Sequence, residues 1–134
     1  GPGDPATLPE TIKTAKKCLE TGIPTFGICL GNQILALASG AKTIKMKYGH
    51  RSVNQPVQHV KTEHCMVTTQ NHGYVIDEST LPSDMEVLYK NLNDQSVEGI
   101  KHKTKPLFSV QFHPEACAGP EDAQHLFDDF IATL

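Results

Sequence analysis

The 134-residue chain has no apolar run long enough to cross a membrane and no signal-peptide pattern, so it reads as a cytoplasmic protein. It has no excess of basic residues. The formal net charge is -3, which argues against a nucleic-acid partner. Its four cysteines, at 18, 29, 65 and 117, form no Cys-x-x-Cys pair, so a structural zinc site is not expected. In a reducing compartment they should be free thiols. Seven histidines include no His-Glu-x-x-His spacing, which leaves no metal centre to propose. His50, His59, His64, His102 and His125 read as surface or network residues. No Gly-x-x-x-x-Gly-Lys phosphate loop occurs, so no ATP chemistry is expected in this chain. Repeats and low-complexity segments are missing too. With only 20% charged residues and 38% hydrophobic ones, the chain should fold around one core rather than stay disordered.

What is present begins with five residues. Gly27-Ile28-Cys29-Leu30-Gly31 sets a cysteine between two glycines, after a short apolar run and before a helical pattern. That is the pattern of a nucleophile elbow, with Cys where Ser stands in Gly-x-Ser-x-Gly. Such a turn is expected to expose the sulfur near the positive end of the next helix, which favours thiolate. The flanking glycines let neighbouring backbone approach closely. By itself the pentapeptide fits a buried structural cysteine equally well.

Two further segments bear on it. Phe108 to Phe112 alternates like a strand and runs into His113-Pro114-Glu115. A nucleophilic cysteine needs a base, and the base needs a group to orient it. His113 and Glu115 fit those roles, two residues apart and on one side of an extended chain. A surface pair just past a strand end is the simpler reading of His-x-Glu alone. Gly1-Pro2-Gly3-Asp4-Pro5 can form a rigid turn whose N–H groups bind an anion, or it can be an ordinary loop.

Taken together, Gly1–Pro5, Phe26–Gln33 and Gln111–Glu115 resemble the class I (triad) glutamine amidotransferases. Gly49–Val57 and Thr69–Tyr74 resemble the corresponding segments of the small, glutamine-hydrolysing subunits of carbamoyl-phosphate synthases. Asn32 departs from the pattern, since many relatives carry His or Met there. The resemblance implies an α/β fold: a flavodoxin-like mixed sheet with flanking helices, as in class I glutamine amidotransferases. It also implies that residues 1–134 form the C-terminal part of a catalytic domain, with an N-terminal part missing. The implied triad is Cys29, His113 and Glu115. The implied glutamine site is Gly1, Gly3, Leu30, Gln33, Asn71, Gly73 and Tyr74, with the Leu30 and Gly3 N–H groups meeting the oxyanion. No cofactor is implied in this chain. ATP and Mg are expected on a partner, the large synthetase subunit, which would receive ammonia released from L-glutamine. Two alternatives remain at this stage: an amidotransferase component of another synthase, or a folded interaction module without catalysis.

Local patterns predict the elements. A helix is expected from Thr11 to about Thr21, with Ile12, Ala15 and Leu19 on one face and Gly22 ending it. A strand over 24–28 leads into a buried helix, Leu30 to Ser39, capped by Gly40. Short strands are expected over 41–46, 57–61, 65–69, 74–76, 86–91, 97–101 and 107–112. A last amphipathic helix is expected over 121–133. Cys18, Cys65 and Cys117, with no elbow around them, read as structural.

Overall fold

The computed structural model describes residues 4–112 together with Asp128 and Ala132; for 48–54, 69 and 71 it describes the backbone only. A single 3-10 turn at Pro5–Thr7 leads into helix α1, Pro9–Thr21. Asp4 caps that turn by accepting the Ala6 N–H at 2.9 Å. Proline at the first position of α1 suits a helix start, where its missing N–H costs nothing. The helix ends as predicted. Gly22 takes φ 71°, and its N–H bonds the Cys18 carbonyl. Ala15, with Ile12 and Leu19 beside it, faces the core.

Strand β1, Thr25–Ile28, is followed by helix α2, Leu30–Ser39, as the apolar run and Gly40 predicted. Gly40 lies at φ 106°, a value that favours glycine, and its N–H reaches two carbonyls of the last turn. The chain then forms β2, Lys42–His59, and β3, Cys65–Asp77. β4, Met85–Asn91, β5, Val97–His102, and β6, Leu107–Val110, complete the sheet.

The seven expected strands reduce to five here. The segments 41–46 and 57–61 belong to one strand, and so do 65–69 and 74–76. Gly49, Asn54 and Pro56, between the two expected strands, are turn formers in most settings. The β2–β3 ribbon instead absorbs the irregular stretch in two register shifts, between Lys45 and His50 and between Ser52 and Gln55. The helix expected over 121–133 lies outside the described residues, apart from Asp128, whose carbonyl accepts the Ala132 N–H at 2.9 Å.

The sheet order is β1-β6-β5-β4-β2-β3. Among the described residues, β1 and β6 pair in parallel and the other neighbouring pairs are antiparallel. Strand alternation sorts β6 between two apolar clusters. Leu107 joins Ile34, Leu35, Ala36, Val97 and Ile100 on the face covered by α2. Phe108 and Val110 join Val57, Tyr89 and Phe112 in the second cluster, where Phe26 stacks on Phe108 at 4.6 Å. Ser109 and Gln111 are thereby turned toward α2, and both are fully buried.

Leu35 sits at the centre of the helix-covered cluster, whereas Ile23 is 56% exposed. Leu35→Ala is expected to destabilise the fold by about 2–5 kcal/mol in denaturant titration, and Ile23→Ala by no more than about 0.5 kcal/mol. Equal losses at the two positions would place the core elsewhere.

Candidate active site

The elbow forms where β1 hands over to α2. Ile28 lies opposite Val110 in the parallel register, and the Cys29 N–H donates to the Val110 carbonyl at 2.9 Å. The chain must then turn at once into the helix. Cys29 does so with φ 54° and ψ -107°, a conformation that L residues rarely adopt. Its carbonyl accepts the Asn32 N–H at 3.0 Å. Holding a non-glycine residue there costs on the order of 1–3 kcal/mol, which the surrounding pairing sustains.

Gly27 is required by contact. A Cβ at that position would lie 2.7 Å from Leu35 Cδ1 and 2.8 Å from the Gly31 carbonyl oxygen. The helix can press on the strand only because position 27 has no side chain. No such crowding surrounds Gly31, where a Cβ would meet nothing within 4 Å among the described residues.

The sulfur was expected to be exposed, but Cys29 is 4% exposed. The elbow packs against the end of β6, and the side chain of Gln111, the residue after that strand, lies beside it. Gln111 Nε2 is 3.4 Å from the Cys29 carbonyl oxygen and 3.8 Å from Sγ. Cys65, expected to be structural, is exposed at the start of β3, and Cys18 is half-buried.

Around Gln111 lies a buried polar layer that local patterns did not reveal. Gln111 Oε1 accepts from Asn32 Nδ2 at 3.1 Å and from Gln33 Nε2 at 3.0 Å. Ser109 Oγ donates to Asn32 Oδ1 at 2.8 Å. Asn32, read from sequence as a departure from the family pattern, thus belongs to the support of the elbow. Gln33 Nε2 also donates to the Tyr74 carbonyl oxygen at 2.8 Å, so α2 is tied to β3. That carbonyl accepts from His72 Nδ1 as well, at 2.8 Å. His72 Nε2 is 2.7 Å from Gln70 Oε1. Gln70 Nε2 bonds Glu98 Oε2, and the Glu98 carbonyl accepts the Gln111 N–H at 2.8 Å. The hydrogen bonds therefore close a ring through β3, α2, the end of β6 and β5. The one legible signal was the polar alternation Thr68, Gln70, His72 along β3, which marks a buried polar face.

Glu98 is fully buried, and burial pushes its carboxyl up to about 8. The bonds from Gln70 and Asn91 act against that rise, and the nearby Asp94 adds to it. Between its ordinary value and about 8 the folded protein keeps a proton that the unfolded chain has released. This group therefore lowers stability progressively as pH rises through that window.

Of the site residues expected from sequence, Cys29, Leu30 and Gln33 lie at the β1–α2 turn and the first turn of α2, and Gln33 is bonded to Tyr74 of β3, next to Gly73. Leu30 opens α2, where the first amides have no carbonyl within the helix. Gly73 and Tyr74 are half-buried, and Asn71 lies in the same strand, opposite Arg51. Gly1, Gly3, His113 and Glu115 lie outside the described residues. Among the described residues no group of His, Cys, Asp and Glu could hold a metal ion.

The family model for glutamine amidotransferase class-I matches residues 1–133. This chain belongs to the class I glutamine amidotransferase family. It is 56% identical over 131 residues to the carbamoyl phosphate synthase small chain of Methanocaldococcus jannaschii, covering 98% of this chain and 37% of that one. It is 56% identical over 134 residues to the carbamoyl phosphate synthase small chain of Escherichia coli K12, covering all of this chain and 35% of that one. The chain thus spans about a third of the length of these curated relatives. A candidate GMP synthase component of Thermoplasma acidophilum superposes with a TM-score of 0.76 at 26% identity, over 91% of this chain and 63% of that one. A glutamine amidotransferase of Thermotoga maritima superposes at 0.69 and 23% identity, over 93% of this chain and 54% of that one, and so supports the fold.

The strained elbow is testable by stability alone. Cys29→Gly removes the Cβ that makes φ 54° costly, whereas Cys29→Ala keeps it. The glycine variant is expected to be the more stable of the two by about 1 kcal/mol or more in urea titration. The ordinary order, alanine above glycine, would show that the elbow carries no strain.

Proposed function

We propose that this chain is the glutamine-hydrolysing part of a carbamoyl-phosphate synthase small subunit. The observation that carries the reading is the elbow: a cysteine at φ 54° between a parallel strand and a helix N-terminus, in a chain of this family. Cys29 attacks the side-chain carboxamide of L-glutamine, and His113 takes the thiol proton. The tetrahedral oxyanion is met by the N–H groups of Leu30 and Gly3. A single donor of this kind is worth about 10²–10³ in rate. Ammonia leaves with a proton from His113. Water, activated by the same histidine, then hydrolyses the glutamyl thioester. Glu115 orients the imidazole.

Covalent geometry supports the pairing of Cys29 with His113. Gln111 already touches the elbow, and two residues of chain span at most about 7 Å between Cα atoms. Gln33, Asn71, Gly73 and Tyr74 supply the wall that receives glutamine. The ammonia passes to the large synthetase subunit, where ATP and Mg are used, in the cytoplasm. The identity of about 56% to small chains over the full chain favours this synthase over another amidotransferase partner.

In the complete subunit joined to its synthetase partner, Cys29→Ser is expected to reduce glutamine-dependent synthesis by at least about 10³-fold. Synthesis from free ammonia should stay within about two-fold, because it does not need the thiol. Persistence of glutamine-dependent activity would refute the assignment.

Labelling gives a second check. A glutamine-like diazo-ketone is expected to modify Cys29 despite its burial, since the reagent enters as substrate does. A plain alkylating agent should favour the exposed Cys65. Modification of Cys65 by the diazo-ketone, with Cys29 untouched, would argue for the non-catalytic interaction module.

A further inference from the structure

The ring of buried hydrogen bonds fixes more than geometry, because its donors and acceptors can be assigned one after another. Thr68 Oγ1 donates to the Gln55 carbonyl at 2.7 Å, so it has only lone pairs to offer Gln70. The Gln70 amide must therefore present its NH₂ group to Thr68, at 3.0 Å. The same nitrogen reaches Glu98 Oε2. Asn91 points its own NH₂ at that oxygen, at 3.4 Å, and its orientation is set because Asn91 Oδ1 accepts the Asn93 N–H at 2.8 Å. Glu98 Oε2 is thus an acceptor.

The other end of the Gln70 amide is then an oxygen, and it faces His72 Nε2 at 2.7 Å. That ring nitrogen must carry a hydrogen. The second ring nitrogen, Nδ1, faces the Tyr74 carbonyl at 2.8 Å, and a carbonyl can only accept. Two acceptors facing the two ring nitrogens is the pattern of an imidazolium, at a residue only 2% exposed. The acidic group linked to it through one amide is Glu98.

We propose that Glu98 is a positioning residue for the glutamine site: through Gln70 it keeps His72 doubly protonated, and His72 with Gln33 holds the Tyr74 carbonyl beside the elbow. This inference rests on the amidotransferase reading above, but its first consequence is the charge of one imidazole. Without an acceptor at position 98 the Gln70 amide keeps Thr68 but loses the second acceptor that fixes it, and its hold on His72 Nε2 weakens. The imidazole then sheds a proton, and the β3 wall is no longer fixed to α2.

Burial raises the Glu98 carboxyl to about 8, so it ionises within reach of ordinary assays. Among the described residues, the groups facing it include Gln70 on β3, Asn91 on β4, the Asp94 carboxylate in the turn after β4 and, through Gln70, His72. Ionisation strengthens its hold on the Gln70–His72 pair. The KM for glutamine should therefore fall as pH rises through that range.

The test uses the complete subunit with its synthetase partner. Glu98→Leu is expected to raise the KM for glutamine by about 10-fold or more while kcat changes less than about three-fold. Glu98→Gln keeps an acceptor and should restore most of the KM, but its KM should no longer change with pH near 8. Nitrogen NMR of His72 should show two protonated ring nitrogens in the native protein and one in Glu98→Leu. A neutral His72 in the native protein, or a pH dependence of KM unchanged in Glu98→Gln, overturns the proposal. Should Glu98→Leu fail to fold, the NMR of the native protein and the Glu98→Gln profile decide. If the NMR result holds but glutamine turnover does not depend on Cys29, the amidotransferase reading fails and the charge assignment stands.

Discussion

The bond from the Cys29 N–H to the Val110 carbonyl is the constraint on which the site depends. It extends the parallel pairing of β1 and β6 by one residue beyond β1. The backbone of residue 29 is therefore still part of the sheet on one side and already the cap of α2 on the other. No relaxed conformation of an L residue joins those directions, so the strain at Cys29 follows from the pairing. Gly27 completes the arrangement. Because Leu35 and the Gly31 backbone occupy the space its side chain would need, the helix starts close against the strand it leaves. Gln111, one residue past Val110, is then delivered beside the sulfur by the same strand that fixes the turn.

Much of this was legible in the chain. The Gly-x-Cys-x-Gly pattern, the apolar run before it and the buried helix after it fall where expected, and β1 and β6 end side by side. The helix at Pro9–Thr21 and the glycine caps follow from local rules that tertiary contacts did not override. The β2–β3 ribbon was expected as four short strands, and it runs on through Gly49, Asn54 and Pro56, which are turn formers in most settings. Here register shifts against a paired strand accommodate them. The exposure of the sulfur was also misjudged: an elbow predicts a sharp turn, whereas what covers it comes from a strand far along the chain. The same holds for Glu98. A lone glutamate at a strand start reads as a solvated charge until the sheet places Gln70 and Asn91 around it.

The core is accordingly of two kinds. One region is ordinary apolar packing, with Leu35, Ile100 and Leu107 among its buried residues. The other is a polar layer in which Asn32, Gln33, Gln70, His72, Ser109 and Gln111 satisfy one another out of solvent. Apolar packing tolerates exchanges of similar volume. A hydrogen-bonded layer does not, because one lost partner leaves a buried group unsatisfied at about 1–3 kcal/mol. The elbow stands on the less forgiving of the two, which gives it a single defined geometry.

The position of β1 in the sheet also orders the assembly of the molecule. Its only described strand partner is β6, and the contacts that join Cys29 to Gln111 are 82 residues apart in sequence. The β2–β3 and β4–β5 pairs, in contrast, join neighbours along the chain, whose loops cost little entropy to close. The antiparallel part can form early from local encounters. Among the described residues, the strand that carries the nucleophile pairs with β6, which lies far along the chain. The strained turn at Cys29 depends on a contact between distant parts of the chain, so contact order places its formation after the local pairs, on a sheet able to bear it.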